Sequence, residues 1–211
     1  MSEPEWRRVN RANWDELVGV HLGPRGYDLS ELRAGRGQLN AIEEAELPPV
    51  ANKRILHLQC HFGADSLILA QRGAEVVGLD FSRPAIDAAR TLAIELGLAD
   101  RVRFVQADVY DTLQAISALH SFDMVFVTCG AITWLQDIKQ WSEIVAATLR
   151  SGESLYLADG HPVAYVFDDA TRSADGMPGL FAPYFLRQPI IGEDPSDYID
   201  SEAAGRQLQD L

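Results

Sequence analysis

Two aspartates, Asp80 and Asp108, each close a short apolar run, Val76-Val-Gly-Leu-Asp80 and Phe104-Val-Gln-Ala-Asp108, and both lie downstream of the turn Gln59-Cys-His-Phe-Gly63. A carboxylate about 20 residues past a strand-loop-helix turn is where a ribose hydroxyl pair is held, because the end of the second parallel strand faces the same crevice as the turn. The next acid, on the neighbouring strand end, lies where the nucleoside half of a ligand would extend. These spacings suggest the chemistry of gripping a nucleoside-bearing cofactor. A separate pair, Asp159 and His161, follows the last apolar strand, where a general base would stand if the reaction needed one; Gly-His-Pro is equally the composition of a plain turn.

Residues so spaced need strands to carry them. From Lys53 onward apolar runs alternate with amphipathic stretches, the pattern of an α/β fold with a parallel sheet. Strands are predicted over about 54–58, 75–79, 102–107, 122–127 and 154–158. Helices are predicted over about 64–72, 82–97, 110–118 and 136–149. The second helix is the best marked: Ser82 is a good N-cap, Pro84 sits in the first turn, and Gly97 stands just past the end. The expected architecture is a Rossmann-like, doubly wound, mostly parallel sheet of order 3-2-1-4-5 with helices on both faces. Its crevice would then open between Gln59–Gly63 and Thr128–Trp134.

Three stretches are distinguished. Residues 1–50 form a helical N-terminal segment and a candidate lid, 51–165 the cofactor-binding domain, and 166–211 an irregular C-terminal segment of that domain. No convincing pair of strands is visible after the fifth, so a closing hairpin there is expected to be shortened, with Leu180 to Leu186 as a remnant, or absent; its absence would leave an open sheet edge and make a homodimer one way of covering it.

The chain has 211 residues, 47% of them hydrophobic, and a formal net charge of -13. That balance argues against a nucleic-acid partner, whose phosphates call for Lys and Arg. No apolar run approaches the length of a membrane span and no secretory leader is visible, so a soluble cytoplasmic protein is expected. Two cysteines, Cys60 and Cys129, are too few for a disulfide framework or a four-ligand zinc site, and no metal is expected. Each residue singled out also has an ordinary reading: Asp80 and Asp108 as helix caps, His57 as a buried neutral histidine, the cysteines as small apolar packers, and Trp14 and Trp141 as packing residues.

The runs His57-Leu-Gln-Cys-His-Phe-Gly63 and Gly130-Ala-Ile-Thr-Trp-Leu135, with the two strand-end acids in order between them, resemble class I S-adenosylmethionine-dependent methyltransferases, and within them a bacterial subgroup that writes its first motif this way. The resemblance covers roughly residues 10 to 165. It implies S-adenosylmethionine as cofactor and a small-molecule methyl acceptor. Gln59, Cys60, His61 and Gly63 would pass close to the methionine part, and Asp80 would accept from both ribose hydroxyls. Phe81 would pack on the adenine, Asp108 would accept from its amino group, the Val109 N–H would meet a ring nitrogen, and Cys129 and Gly130 would border the sulfonium. The family at large has an acid where His57 stands and glycines where Gln59 and His61 stand, and it adds an antiparallel hairpin after the fifth strand. In-line transfer from an activated carbon relies mostly on positioning, so a base, His161 first and Asp159 second, is needed only if the acceptor must lose a proton. Two rivals remain. One is a nicotinamide oxidoreductase, disfavoured because the turn has one glycine where a pyrophosphate needs several. The other is a non-catalytic binding or interaction module derived from a shortened methyltransferase domain.

Overall fold

The computed structural model describes residues 4–128, 130–172 and 175–186. Strands β1 (Arg54–Leu58), β2 (Glu75–Asp80), β3 (Val102–Gln106), β4 (Phe122–Thr128) and β5 (Leu149–Ala158) form one sheet of order β3-β2-β1-β4-β5. All four pairings are parallel, with Leu56 level with Val77 on one side and Val125 on the other. This is the order expected, with the reversal between β1 and β4.

The central strands are apolar on both faces because helices cover both. Ile55, Phe104, Met124 and Phe126 pack on one side with Leu67 of α4 (Ala64–Gln71) and Ile86, Ala89 and Ala93 of α5 (Arg83–Glu95). Leu56, Leu79, Val125 and Val127 pack on the other with Ile116 of α6 (Thr112–Ile116) and Trp141 and Val145 of α7 (Ile138–Thr148). The start of α5 follows its sequence signals: the Ser82 hydroxyl accepts from Ala85 N at 3.3 Å, and Pro84 lies in the first turn.

A pair of polar side chains sits inside this core. His57 of β1 is buried, its Nδ1 is 2.8 Å from Ser66 Oγ, and its ring meets Phe126 edge-on at 5.0 Å. Burial pushes its pKa down from 6.5 to about 3. An unfolded chain therefore takes a proton below about pH 6.5 that the folded protein refuses, so this stability is present above that pH and lost as pH falls toward 3. The expected loss is about 5 kcal/mol over the window. Urea unfolding at several pH values should show it in the wild type, and the His57→Gln variant should lack that component of the slope.

The N-terminal segment folds as α1 (Glu5–His21), α2 (Ser30–Arg33) and α3 (Ala41–Glu46). Leu29, Leu32 and Leu39 join the same apolar cluster as α4 and α5, and Arg72 of the α4 C-cap pairs with Glu44. The helix α1 lies against α5, and the Ser82 hydroxyl donates to Asp15 Oδ1 at 2.6 Å.

Two elements refine the sequence expectation. Strand β5 starts at Leu149, directly after α7, and its register with β4 shifts between Phe122↔Leu149 and Met124↔Ser154. The chain bulges there around Gly152, at φ 85°, so the polar Arg150-Ser-Gly-Glu153 run hides the first half of the strand. After the fifth strand, β6 (Phe167–Arg172) and β7 (Pro178–Leu180) form a short antiparallel pair separate from the main sheet. Of the two expectations, a hairpin shortened or absent, the short pair fits the first; Phe-Asp-Asp-Ala-Thr-Arg has no apolar alternation to announce it. No described helix is long and apolar enough to cross a membrane.

Candidate active site

The chain leaves β1 through a turn in which every second residue is left-handed: Gln59 at φ 56°, His61 at φ 51° and Gly63 at φ 76°. Only the last is a glycine. Left-handed backbone costs a residue with a Cβ roughly 1–2 kcal/mol, and long-range contacts offset it at the other two. The Gln59 amide nitrogen donates to Ala131 O at 2.8 Å, crossing from one crevice lip to the other. The His61 N–H donates to Asp80 Oδ2 at 2.8 Å, and its ring lies 5.4 Å from Trp14 and 4.9 Å from His21. A backbone path normally written in glycine is thus held by bonds from distant strands.

Asp80 ends β2 at 6% exposure. Its Oδ2 accepts from His61 and its Oδ1 from Ser82 N at 2.8 Å. A carboxylate oxygen can accept twice, so each keeps capacity for one more donor, which suits a vicinal diol. Burial raises its pKa to about 6, opposed by the Ser82 and His61 N–H groups and assisted by the nearby Asp15 carboxylate.

Asp108 stands two residues past the end of β3 rather than at its tip, and caps the single 3₁₀ turn Val109–Asp111: Oδ1 accepts from Tyr110 N at 2.9 Å. Its Oδ2 lies 3.0 Å from Arg7 Nε. Asp80, Phe81, Asp108, Val109 and Gln59 line one crevice of about 440 Å³, part of it open to solvent.

Other predicted residues shape the site from behind. Cys60 is buried with its Sγ close beneath Gly78, and burial followed by the Asp80 charge holds its thiol well above the ordinary range, so it is not a nucleophile. Gly63 faces Phe104 and Ala89 in the core. Gly130 is left-handed at φ 83° on the opposite lip, its carbonyl accepting from the Thr133 hydroxyl at 2.7 Å. Cys129 lies outside the described residues, as does the tail from residue 187.

Neither His161 nor Asp159 is among the residues lining that crevice. Asp159 accepts from Ile132 N at 3.0 Å and Gly160 N at 2.6 Å, holding the β4 loop. His161 is exposed, and its Nδ1 accepts from Val163 N at 3.2 Å, capping the turn that carries the chain away. Asp159 thus ties the end of β5 to the lip loop after β4, while His161 serves its own turn.

Sequence reasoning made the N-terminal segment a candidate lid but did not single out Arg7 or Asn10 on its crevice face. Trp6, Arg7, Asn10 and Trp14 line the same space, with Trp14 edge-on to Trp134 at 5.7 Å. The signal was there: positions 7, 10 and 14 recur at spacings of three and four and so share one helix face.

Residues 55–152 match the family described as a methyltransferase domain. The fold is also that of an S-adenosylmethionine-dependent methyltransferase from Mesorhizobium loti, which superposes with a TM-score of 0.57 at 24% identity over 70% of this chain and 67% of that one. Residues 55–152 are thus similar to a methyltransferase domain, and the sheet has the fold that S-adenosylmethionine-dependent methyltransferases use. Among curated proteins, it is 35% identical over 129 residues to a 23S rRNA (uracil(1939)-C(5))-methyltransferase of Shewanella halifaxensis, covering 60% of this chain and 28% of that protein. It is 40% identical over 115 residues to the demethylmenaquinone methyltransferase of Clavibacter sepedonicus, covering 54% and 44%. The chain thus spans less than half the length of either relative.

Proposed function

We propose that this protein is an S-adenosylmethionine-dependent methyltransferase that transfers a methyl group in line to a small molecule in the cytoplasm, within the bacterial subgroup marked by the His57–Gly63 run. The observation that carries the reading is the convergence of Asp80, Phe81 and Asp108, from two neighbouring strand ends, on one crevice with the Gln59 turn. The free acceptor capacity of Asp80 fits a ribose diol, and the Asp108 carboxylate fits an amino-bearing base. The cofactor, when bound, supplies a methyl already activated on a sulfonium. The protein's part is to hold the two reactants in line and keep water out. Trp14, Trp134 and Leu135 form an uncharged rim beyond Gln59 that would receive the acceptor.

A small acceptor is favoured over RNA, although a relative acts on 23S rRNA by its name. The chain carries 31 acidic against 18 basic residues, and the crevice lining contains two carboxylates and a single cation, Arg7. Phosphate backbones bind surfaces of the opposite balance.

The test is calorimetric titration with S-adenosylmethionine and S-adenosylhomocysteine, then transfer of labelled methyl to a small-metabolite panel and, in parallel, to 23S rRNA. Binding of both ligands with label in a small molecule is expected. Label in the RNA would overturn the acceptor class, binding without any transfer would favour a non-catalytic module, and absence of binding would remove the methyltransferase reading.

A further inference from the structure

We propose that Arg7 is a built-in occupant of the adenine end of the crevice, a side chain the cofactor must displace from Asp108 before the purine can seat. The inference rests on the reading of the crevice as the S-adenosylmethionine site.

Arg7 lies in the first turns of α1, and its guanidinium carbon is 5.5 Å from the centre of the Trp6 ring and 5.7 Å from that of Tyr110. Those two rings meet edge-on, 6.5 Å apart. Its Nε is 3.0 Å from Asp108 Oδ2, and the two side chains are 23% and 10% exposed. A guanidinium is flat, conjugated and rich in N–H, and it stacks on aromatic faces. Arg7 therefore offers Asp108 and Tyr110 what an adenine would offer them: a planar group with a donor toward the carboxylate and a face toward the ring. Both cannot hold the same oxygen and the same space.

The occupant is held in a way that lets it leave. Although Nε is close to Asp108, it is buried without an aligned hydrogen-bond acceptor among the described residues, so the contact is one of charge rather than of a well-directed bond. The helix around it is anchored at the far end, where Asp15 accepts from the Ser82 hydroxyl and Trp14 meets His61 and Trp134. Its beginning is not anchored in this way: the N-cap is Pro4, with no side-chain cap bond. Uncapped first turns fray at little cost. Opening that turn would withdraw Arg7 and Trp6 together while the rest of α1 stays in place.

If the closed state holds most of the population, the apparent affinity is reduced by the fraction that is open. Titration of S-adenosylhomocysteine into wild type, Arg7→Ala, Arg7→Gln and Arg8→Ala separates this from a general charge effect. Arg8 is exposed on the same helix and removes the same charge. The expected result is binding about three- to tenfold tighter in both Arg7 variants, corresponding to an open fraction of roughly a third to a tenth, with Arg8→Ala within about twofold of wild type. A thermal melt of each variant confirms that it is folded. The wild-type tryptophan emission should also change on titration, and this change should shrink in Trp6→Phe. Tighter binding in the Arg7 variants, or binding by them alone, supports the displacement. Equal or weaker binding by them while the wild type binds overturns it and leaves the site reading intact. No binding by any protein overturns both.

Discussion

Asp80→Asn should weaken S-adenosylhomocysteine binding about 100-fold, some 2.7 kcal/mol, without lowering the denaturation midpoint at pH 7.5. The binding loss follows from replacing an acceptor of two charge-assisted hydrogen bonds, each worth about 1.5–3 kcal/mol, by an amide that keeps one acceptor and turns a donor toward the other hydroxyl. Stability moves differently. Burial holds the Asp80 pKa at about 6 against an ordinary 3.8, so the folded protein retains a proton the unfolded chain has lost. The associated stability is present below the ordinary value and disappears as pH rises through about 6, leaving a buried charge above it. Removing that charge offsets the weakened contact with His61 or Ser82. The same titration gives the pH dependence of binding: only the ionised carboxylate accepts from both hydroxyls, so affinity should rise between pH 5 and 7 and then level off. Asp65 is also pushed up to about 6 by its burial, and comparison with Asp80→Asn isolates the share of Asp80. A variant that bound as tightly as wild type would sink the assignment of the ribose site.

Gly63→Ala should cost about 3 kcal/mol of stability and lower the melting temperature by roughly 6–12 °C for a chain of this size. Two effects add. At φ 76° a Cβ meets the left-handed penalty of about 1–2 kcal/mol. That Cβ would also lie 2.5 Å from two atoms of the Phe104 ring and 3.2 Å from Ala89 Cβ, and Phe104 is a buried core residue at 5% exposure, so overpacking adds about 1–3 kcal/mol. Phe104→Leu alone should destabilise, yet in the Gly63→Ala background it should restore part of the loss, because the shorter side chain makes room. Additive losses in the double variant, measured by urea unfolding, would show that the clash is absent and only the backbone matters.

Much of the scaffold was legible because its strands are unbroken apolar runs and α5 carries its own punctuation in Ser82, Pro84 and Gly97. Asp80 and Asp108 could be singled out because a parallel sheet fixes which way strand ends face. Other features were not legible, for physical reasons. The left-handed geometry of Gln59 and His61 is stabilised by Ala131 and Asp80, 72 and 19 residues away, and nothing local signals it. The crevice side of α1 mixes Trp, Arg and Asn, a composition that reads as neither a core stripe nor a solvated face. His161 and Asp159 follow the fifth strand as a base might, but proximity in sequence to a strand end does not say which way the next turn leaves.

The Gln59 side chain has a consequence of its own. Because its amide nitrogen reaches Ala131 O while its oxygen is buried and without a hydrogen-bond partner among the described residues, the gap between the two loops is set like a strut by the length of one side chain. Asparagine, one methylene shorter, could not span it; glycine, the usual tenant of that position, would leave the loops untethered. In giving up a flexible residue there, the protein exchanged backbone freedom for a fixed gauge.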